Sequence, residues 1–254
     1  MSYSRIFLIQ WLIFLSIIIY LFKSMGFFEL GRLYVGSKNL LVFAGDLFPP
    51  DLGVIWILIG AIFETIQMAF IGTIIGFMGA LPLGLLGTRN IAGRAISAIT
   101  RFFMGVIRTI PALLWAIIFV IAFGLGPLAG TLGLAIYSVG YLSKLYYEVF
   151  EAMDNEIIEA VRVTGISRLK EIRFVVLPES MNNILSQLFF MFEYNVRSSA
   201  ILGFVGAGGI GFFMINYIQL FQYQRLTTAL LLTLVVVLAI DFINSRVRAK
   251  FLVQ

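Results

Sequence analysis

Residues 193–198 read Glu-Tyr-Asn-Val-Arg-Ser, in the middle of an otherwise apolar run. Glu193 and Arg197 stand four apart with the acid first, the order in which two charges meet along a helix. Such a pair either neutralises itself inside a bilayer or, joined by the hydrogen-bonding groups of Asn195 and Ser198, forms a polar stripe along a translocation path. Glu64 with Gln67, and Arg108, are two further polar positions in apolar surroundings. Arg108 has no acid near it in its own segment, so it either pairs with Glu64 or attracts an anion. A charge at bilayer depth costs about 2.5–3.5 kcal/mol and usually faces a path or a partner. Pro111 loosens the segment just after Arg108 and frees backbone carbonyls that lipid cannot satisfy. The chemistry on offer is anion attraction and hydrogen bonding. Covalent catalysis is not: the chain has no cysteine and no histidine, which removes thiolates, imidazole bases and zinc sites built on either. No paired Asp/Glu constellation stands within the apolar segments, and Asp241 falls near the end of the last one.

Residues 202–213 read LGFVGAGGIGFF, with Gly206, Gly208, Gly209 and Gly211 inside six positions. Four such glycines break a helix, and irregular backbone at membrane depth survives only beside protein or water. A flexible gate and tight backbone packing both fit. A phosphate cradle fits less well, because no strand precedes the run and no lysine follows it.

The third polar feature is residues 150–180, too charged to span a membrane and too long for a bare turn. Asp154 or Asn155 caps a first short helix, with Glu156 and Glu159 near its positive end and Ile157, Ile158 and Val161 as an apolar stripe. Gly165 follows as a residue able to take the left-handed conformation. Ser167 caps a second helix, with Leu169, Ile172 and Val176 on its apolar face, and Pro178 marks the join to the next element. Two amphipathic helices with an elbow between them make a docking knob, either for lipid head groups or for a protein. Glu159 and the glycine break favour a protein.

These residues must be positioned by elements that suit the composition. The chain is 61% hydrophobic and 12% charged, against about 25% charged for a soluble domain. It is therefore membrane-embedded. Crossing ~30 Å of hydrocarbon takes roughly 20 apolar residues, and six segments qualify: 6–22, 54–83, 96–123, 131–147, 184–204 and 226–243. No small-x-small cleavage site follows the first, which reads as an uncleaved anchor. Arg5 sets the N-terminus inside, and six spans return Arg246, Arg248 and Lys250 to the same side. Arg89, Arg94 and the 150–180 island also fall inside. In the outer loop, Lys23, Arg32 and Lys38 balance Glu29, Asp46 and Asp51. The net charge of +5 is thus explained by topology and implies no nucleic acid. The expected organisation is an anchor helix with an outer loop over 1–53 and a transmembrane domain over 54–254, all-α, with lipid around it.

The island also resembles the cytoplasmic signature of ABC-importer permeases: Glu-Ala-Ala, three residues, Gly, nine residues, Ile, any residue, Leu-Pro. Here Glu159, Ala160 and Val161, then Gly165, then Val175, Leu177 and Pro178 stand at that spacing. The chain departs at Val161 for Ala and Val175 for Ile, and both keep apolar character. The stretches RTIPALLWAIIFV, FEYNVRSSAILGFVGAGGIG and LFQYQ look like the phosphonate-type branch of these permeases, so the resemblance covers roughly residues 60–250. It implies a type I importer permease with six spans in a prokaryotic inner membrane, both termini cytoplasmic. It implies that the loop carrying Glu159, Ala160, Gly165, Leu177 and Pro178 forms coupling helices seated in the cleft of a separate ATPase. It further implies a homodimer, two ATPase subunits that hold ATP and Mg, an extracytoplasmic binding protein, and no cofactor on this chain. Phosphonate, phosphite or phosphate is the implied cargo. The absence of a G-x-x-x-x-G-K-[ST] loop agrees with an energy source on another subunit. An ion-coupled transporter would show paired repeats, and no convincing repeat is present.

Overall fold

The computed structural model describes residues 2–163 and 165–251, and among them every regular element is helical. The chain divides into two compact units, 1–49 and 50–254. The first holds α1 (Ser2–Ser24) and α2 (Leu30–Asp46). The second holds α3 (Ile55–Gly87), α4 (Arg89–Ala92), α5 (Arg94–Thr109), α6 (Ala112–Phe123), α7 (Pro127–Glu151), α8 (Asn155–Val163), α9 (Arg168–Glu171), α10 (Leu177–Leu202), α11 (Gly209–Gln219) and α12 (Tyr223–Phe251).

Among the described residues, three helical segments are long and apolar enough to cross a membrane alone: Ile6–Ser24, Leu52–Gly87 and Tyr223–Lys250. Five segments count if two bent pairs are each one span. The expected span 96–123 is one such pair. It breaks by 83° between α5 and α6, where Pro111 supplies no N–H and Ile110 is extended. The expected span 184–204 lies in α10, which bends by 45° into α11 across the glycine run. The remaining segment, 131–147, lies in α7. That helix carries serines, tyrosines, Lys144 and Glu148, so its composition alone does not qualify it. Its 25 residues reach about 37 Å, and it is held by protein on several sides.

The seam between α3 and α7 explains this. Gly72, Gly76, Gly79, Gly84 and Gly87 line the α3 face toward α7, where a Cβ at Gly72 would stand 2.8 Å from Leu134 Cβ and one at Gly84 2.7 Å from Tyr146 Cβ. With no side chain between them the two backbones approach closely, the packing that drives helix association in lipid. On α7, Gly133 receives Ala116 of α6 and Gly140 receives Ile107 of α5 in the same way. Leu134, Leu142, Tyr146 and Phe150 of α7 are fully buried. Leu58, Ile210, Met214 and Leu226 pack a separate cluster joining α3, α11 and α12.

One corner is stapled by ions. The Asp51 carboxylate accepts from Arg225 Nε at 3.0 Å and from the Gly53 N–H at 2.9 Å, and the Asp51 carbonyl accepts from Thr228 at 2.8 Å. The start of α12 is thereby fixed to the entry of α3. Arg225, then the Gly53 N–H, hold the Asp51 carboxyl below the ordinary 3.8.

Candidate functional site

At one end of the 50–254 unit the 150–180 segment forms the expected elbow. Asp154 Oδ1 accepts from the Glu156 N–H at 2.9 Å and caps α8. Gly165 has φ +71°, the left-handed conformation that reverses the chain. Ser167 takes the N-cap position of α9, but its carbonyl rather than its hydroxyl is engaged, by the Glu171 N–H at 2.9 Å. No break separates α9 from α10. A widened π-helical turn, Ile172–Val176, joins them, and the Leu177 N–H bonds the carbonyl of Ile172 five residues back. The turn sits directly before Pro178, whose ring would collide with a carbonyl in a regular helix. The expected apolar face is only partly turned inward: Ile158 and Val176 are buried, whereas Leu169 is 81% exposed and Ile157 41% exposed; Val163, outside that face, is 88% exposed.

The elbow is braced from behind. Arg162 forks onto Glu171, Nε to Oε2 at 3.1 Å and Nη2 to Oε1 at 2.9 Å. Glu171 is buried, and its hydrogen bond raises the Arg162 pKa further above its ordinary value. Arg162 also donates to the Asn90 carbonyl at 3.2 Å and Arg168 to the Ile91 carbonyl at 2.9 Å, the exposed carbonyls of α4. A second tie lies beside it. Arg101 hydrogen-bonds Glu151, donates to the Gly87 carbonyl at 2.7 Å, and lies 4.3 Å over the Tyr147 ring. Glu159, Ala160 and Gly165 are exposed on the outer side of this assembly. Leu177, half-buried, and Pro178, exposed, stand where it enters α10.

The residues expected along a path divide between faces. Glu193 and Arg197 form an ion pair, the acid buried and the arginine side chain 51% exposed. Asn195 and Ser198 lie on the other side of α10, because each residue turns a helix by about 100°. Asn195 is fully buried and donates to Thr73 Oγ1 of α3 and Ser138 Oγ of α7, both at 2.8 Å, tying three helices together. Arg108 forms no ion pair with Glu64 among the described residues. Glu64 instead faces the first turn of α11, where its Oε1 accepts from the Gly209 N–H at 3.3 Å, and neighbouring Thr65 accepts from the Ile210 N–H at 2.9 Å. An acid there also complements the helix dipole.

The glycine run is tightly packed. Gly206, Gly208 and Gly209 have positive φ, and the Gly206 carbonyl accepts from Gly126 N–H at 2.9 Å. A Cβ at Gly209 would stand 2.5 Å from Thr65 Oγ1, and one at Gly211 would strike the Ala200 carbonyl.

Two features escaped the sequence reading. The Arg162–Glu171 fork joins residues nine apart across a turn, a spacing outside any helix rule. The other is an aromatic ladder between α7 and α10: Tyr137, Tyr141 and Tyr194 have centroids 5.6–6.5 Å apart and planes within 23° of parallel, with Phe190 against Tyr141. The tyrosines at i and i+4 of α7 were the only available signal.

The family described as "Binding-protein-dependent transport system inner membrane component" matches residues 80–252. The chain is 31% identical to the phosphite transport system permease protein PtxC of Stutzerimonas stutzeri, over 89% of this chain and 82% of that one. It is 34% identical to the phosphate-import permease protein PhnE of Mycolicibacterium smegmatis, over 80% of this chain and 39% of that longer protein. In fold it is similar to a chain of the inward-facing MetNI methionine ABC transporter, with TM-score 0.70 and 24% identity over 78% of this chain and 98% of that one. A family match over more than half of the chain, on a multi-pass helical bundle, makes this protein a member of the binding-protein-dependent transport system inner membrane component family.

Proposed function

We propose that this chain is the permease of an ATP-driven importer whose cargo is a small phosphorus oxyanion: a phosphonate, phosphite or phosphate. Two copies pair in the membrane, two ATPase subunits bind ATP and Mg on the cytoplasmic side, and an extracytoplasmic binding protein delivers the anion. Both termini lie in the cytoplasm, as the Lys and Arg bias requires. The observation that carries this reading is the elbow. Val163 and Leu169 project into water at 88% and 81% exposure, beside Glu159 and behind the Gly165 reversal. Such side chains gain from being covered by a partner. The buried fork to Glu171 and the bonds to the α4 carbonyls make the knob stiff enough to pass a push to the helices behind it. Identity to phosphite and phosphate permeases supports the cargo, as do arginines at 108 and 197 in apolar surroundings.

The test uses the complete complex in proteoliposomes. Glu159→Lys reverses a charge on the docking face, and Gly165→Pro removes the left-handed turn. Both are expected to insert at wild-type abundance and keep hydrolysing ATP, while oxyanion uptake falls about tenfold or more. Wild-type uptake by both variants would overturn the reading.

A further inference from the structure

We propose that Arg108 and the hydroxyl edges of Tyr137, Tyr141 and Tyr194 form a binding site for the transported phosphorus oxyanion, halfway along the bundle. This rests on the oxyanion-importer reading above and gives it a place. The backbone of Arg108 packs onto Gly140, where a Cβ would stand 3.1 Å from Arg108 N, near the middle of α7. Tyr137 and Tyr141 flank Gly140 on the same helix, three positions before it and one after, so both lie beside the turn that Arg108 packs against. Across from them, α10 presents Phe190, Tyr194 and Arg197 at i, i+4 and i+7, which share one face. The ladder is thus a surface shared by α5, α7 and α10.

Its hydrogen-bonding capacity is one-sided. The Tyr194 hydroxyl donates to the Tyr137 oxygen at 3.4 Å, so the Tyr137 proton is left to donate elsewhere. Among the described residues nothing accepts the Tyr137 or Tyr141 proton, and no carboxylate pairs with Arg108. The neighbouring cations on these faces differ: Arg197 is held by Glu193 and Lys144 by Glu148 at 3.2 Å. Arg108 is exposed in this chain. An unpaired guanidinium at membrane depth is costly, and an arriving anion removes that cost. A guanidinium fork with phenol donors suits a tetrahedral oxyanion, whose oxygens accept, and the guanidinium charge repels an ammonium.

The test is uptake of radiolabelled phosphate, phosphite and methylphosphonate by proteoliposomes holding the complete complex. Import of none of the three overturns the cargo reading and the site with it. Where wild type imports one, Arg108→Gln is expected to lower the maximal rate about tenfold or more at equal incorporation, and Arg108→Lys to recover part of it. Tyr137→Phe and Tyr141→Phe each remove one oxygen and keep the stack, and each is expected to lower the rate about three- to tenfold. Purified complex without the binding protein is expected to retain less labelled phosphate in all these variants. Wild-type uptake by Arg108→Gln overturns the site while leaving the importer reading in place. If Arg108→Gln does not incorporate, the tyrosine variants decide, and wild-type uptake by both overturns it.

Discussion

Single side chains carry two kinds of load here. Asn195 is a buried polar residue bonded to two other helices, and its Oδ1 has no protein partner. Replacing it removes the donor that Thr73 and Ser138 share. Asn195→Leu is expected to destabilise the protein by about 1–3 kcal/mol, and Asn195→Asp by more, since it buries a charge. Thermal unfolding of the detergent-solubilised protein measures both, and an unchanged midpoint for Asn195→Leu would show that the node contributes nothing. Asp51 is the surface counterpart. Arg225 and the Gly53 N–H lower its pKa below the ordinary 3.8, so the native state favours the carboxylate. The stabilisation is complete above the unfolded value and is lost as pH falls through the lower folded one. Hydrogen exchange at the α12 entry is expected to be level, after correction for intrinsic rates, between about pH 7 and about pH 5, and faster below about pH 4. Arg225→Gln is expected to weaken that dependence, leaving the smaller part due to the Gly53 N–H.

At the level of helices, the α3–α7 seam depends on missing side chains. At Gly72 a Cβ would lie 2.8 Å from Leu134 Cβ and 3.2 Å from the Thr131 carbonyl, whereas at Gly60, on the same helix, nothing lies within 4 Å. Gly72→Leu is expected to cost about 3 kcal/mol or more and to cut membrane abundance several-fold, with Gly60→Leu near neutral. Immunoblots of membrane fractions compare the two. Legibility in the sequence follows the same physics. The segments at 6–22, 54–83 and 226–243 are long apolar runs with at most one charged residue each, so hydropathy finds them. Pro111 signals a weakness but not an 83° turn, because the angle is set by where α5 and α6 find packing on Gly140 and Gly133. Gly165 announces its own conformation, whereas the direction of Leu169 depends on how α9 merges into α10. The ladder was hidden because Tyr137 and Tyr194 are 57 residues apart and only the crossing of α7 and α10 joins them.

Over the whole molecule, the charged end is one connected structure. Arg162 and Arg168 link the elbow to α4, and Arg101 with Glu151 links α5 to α7 at the foot of α3. A force on the exposed tip therefore reaches α3, α5 and α7 as well as α10. This is why Glu159→Lys and Gly165→Pro are expected to spare insertion while disconnecting hydrolysis from uptake. The seam limits what such a force can do. Where two backbones touch with no side chain between them, neither rod can roll or slip past its neighbour without first separating. Displacement is then expected at the 83° bend at Ile110–Pro111 rather than within the seam, so that α3 and α7 travel together as one spine.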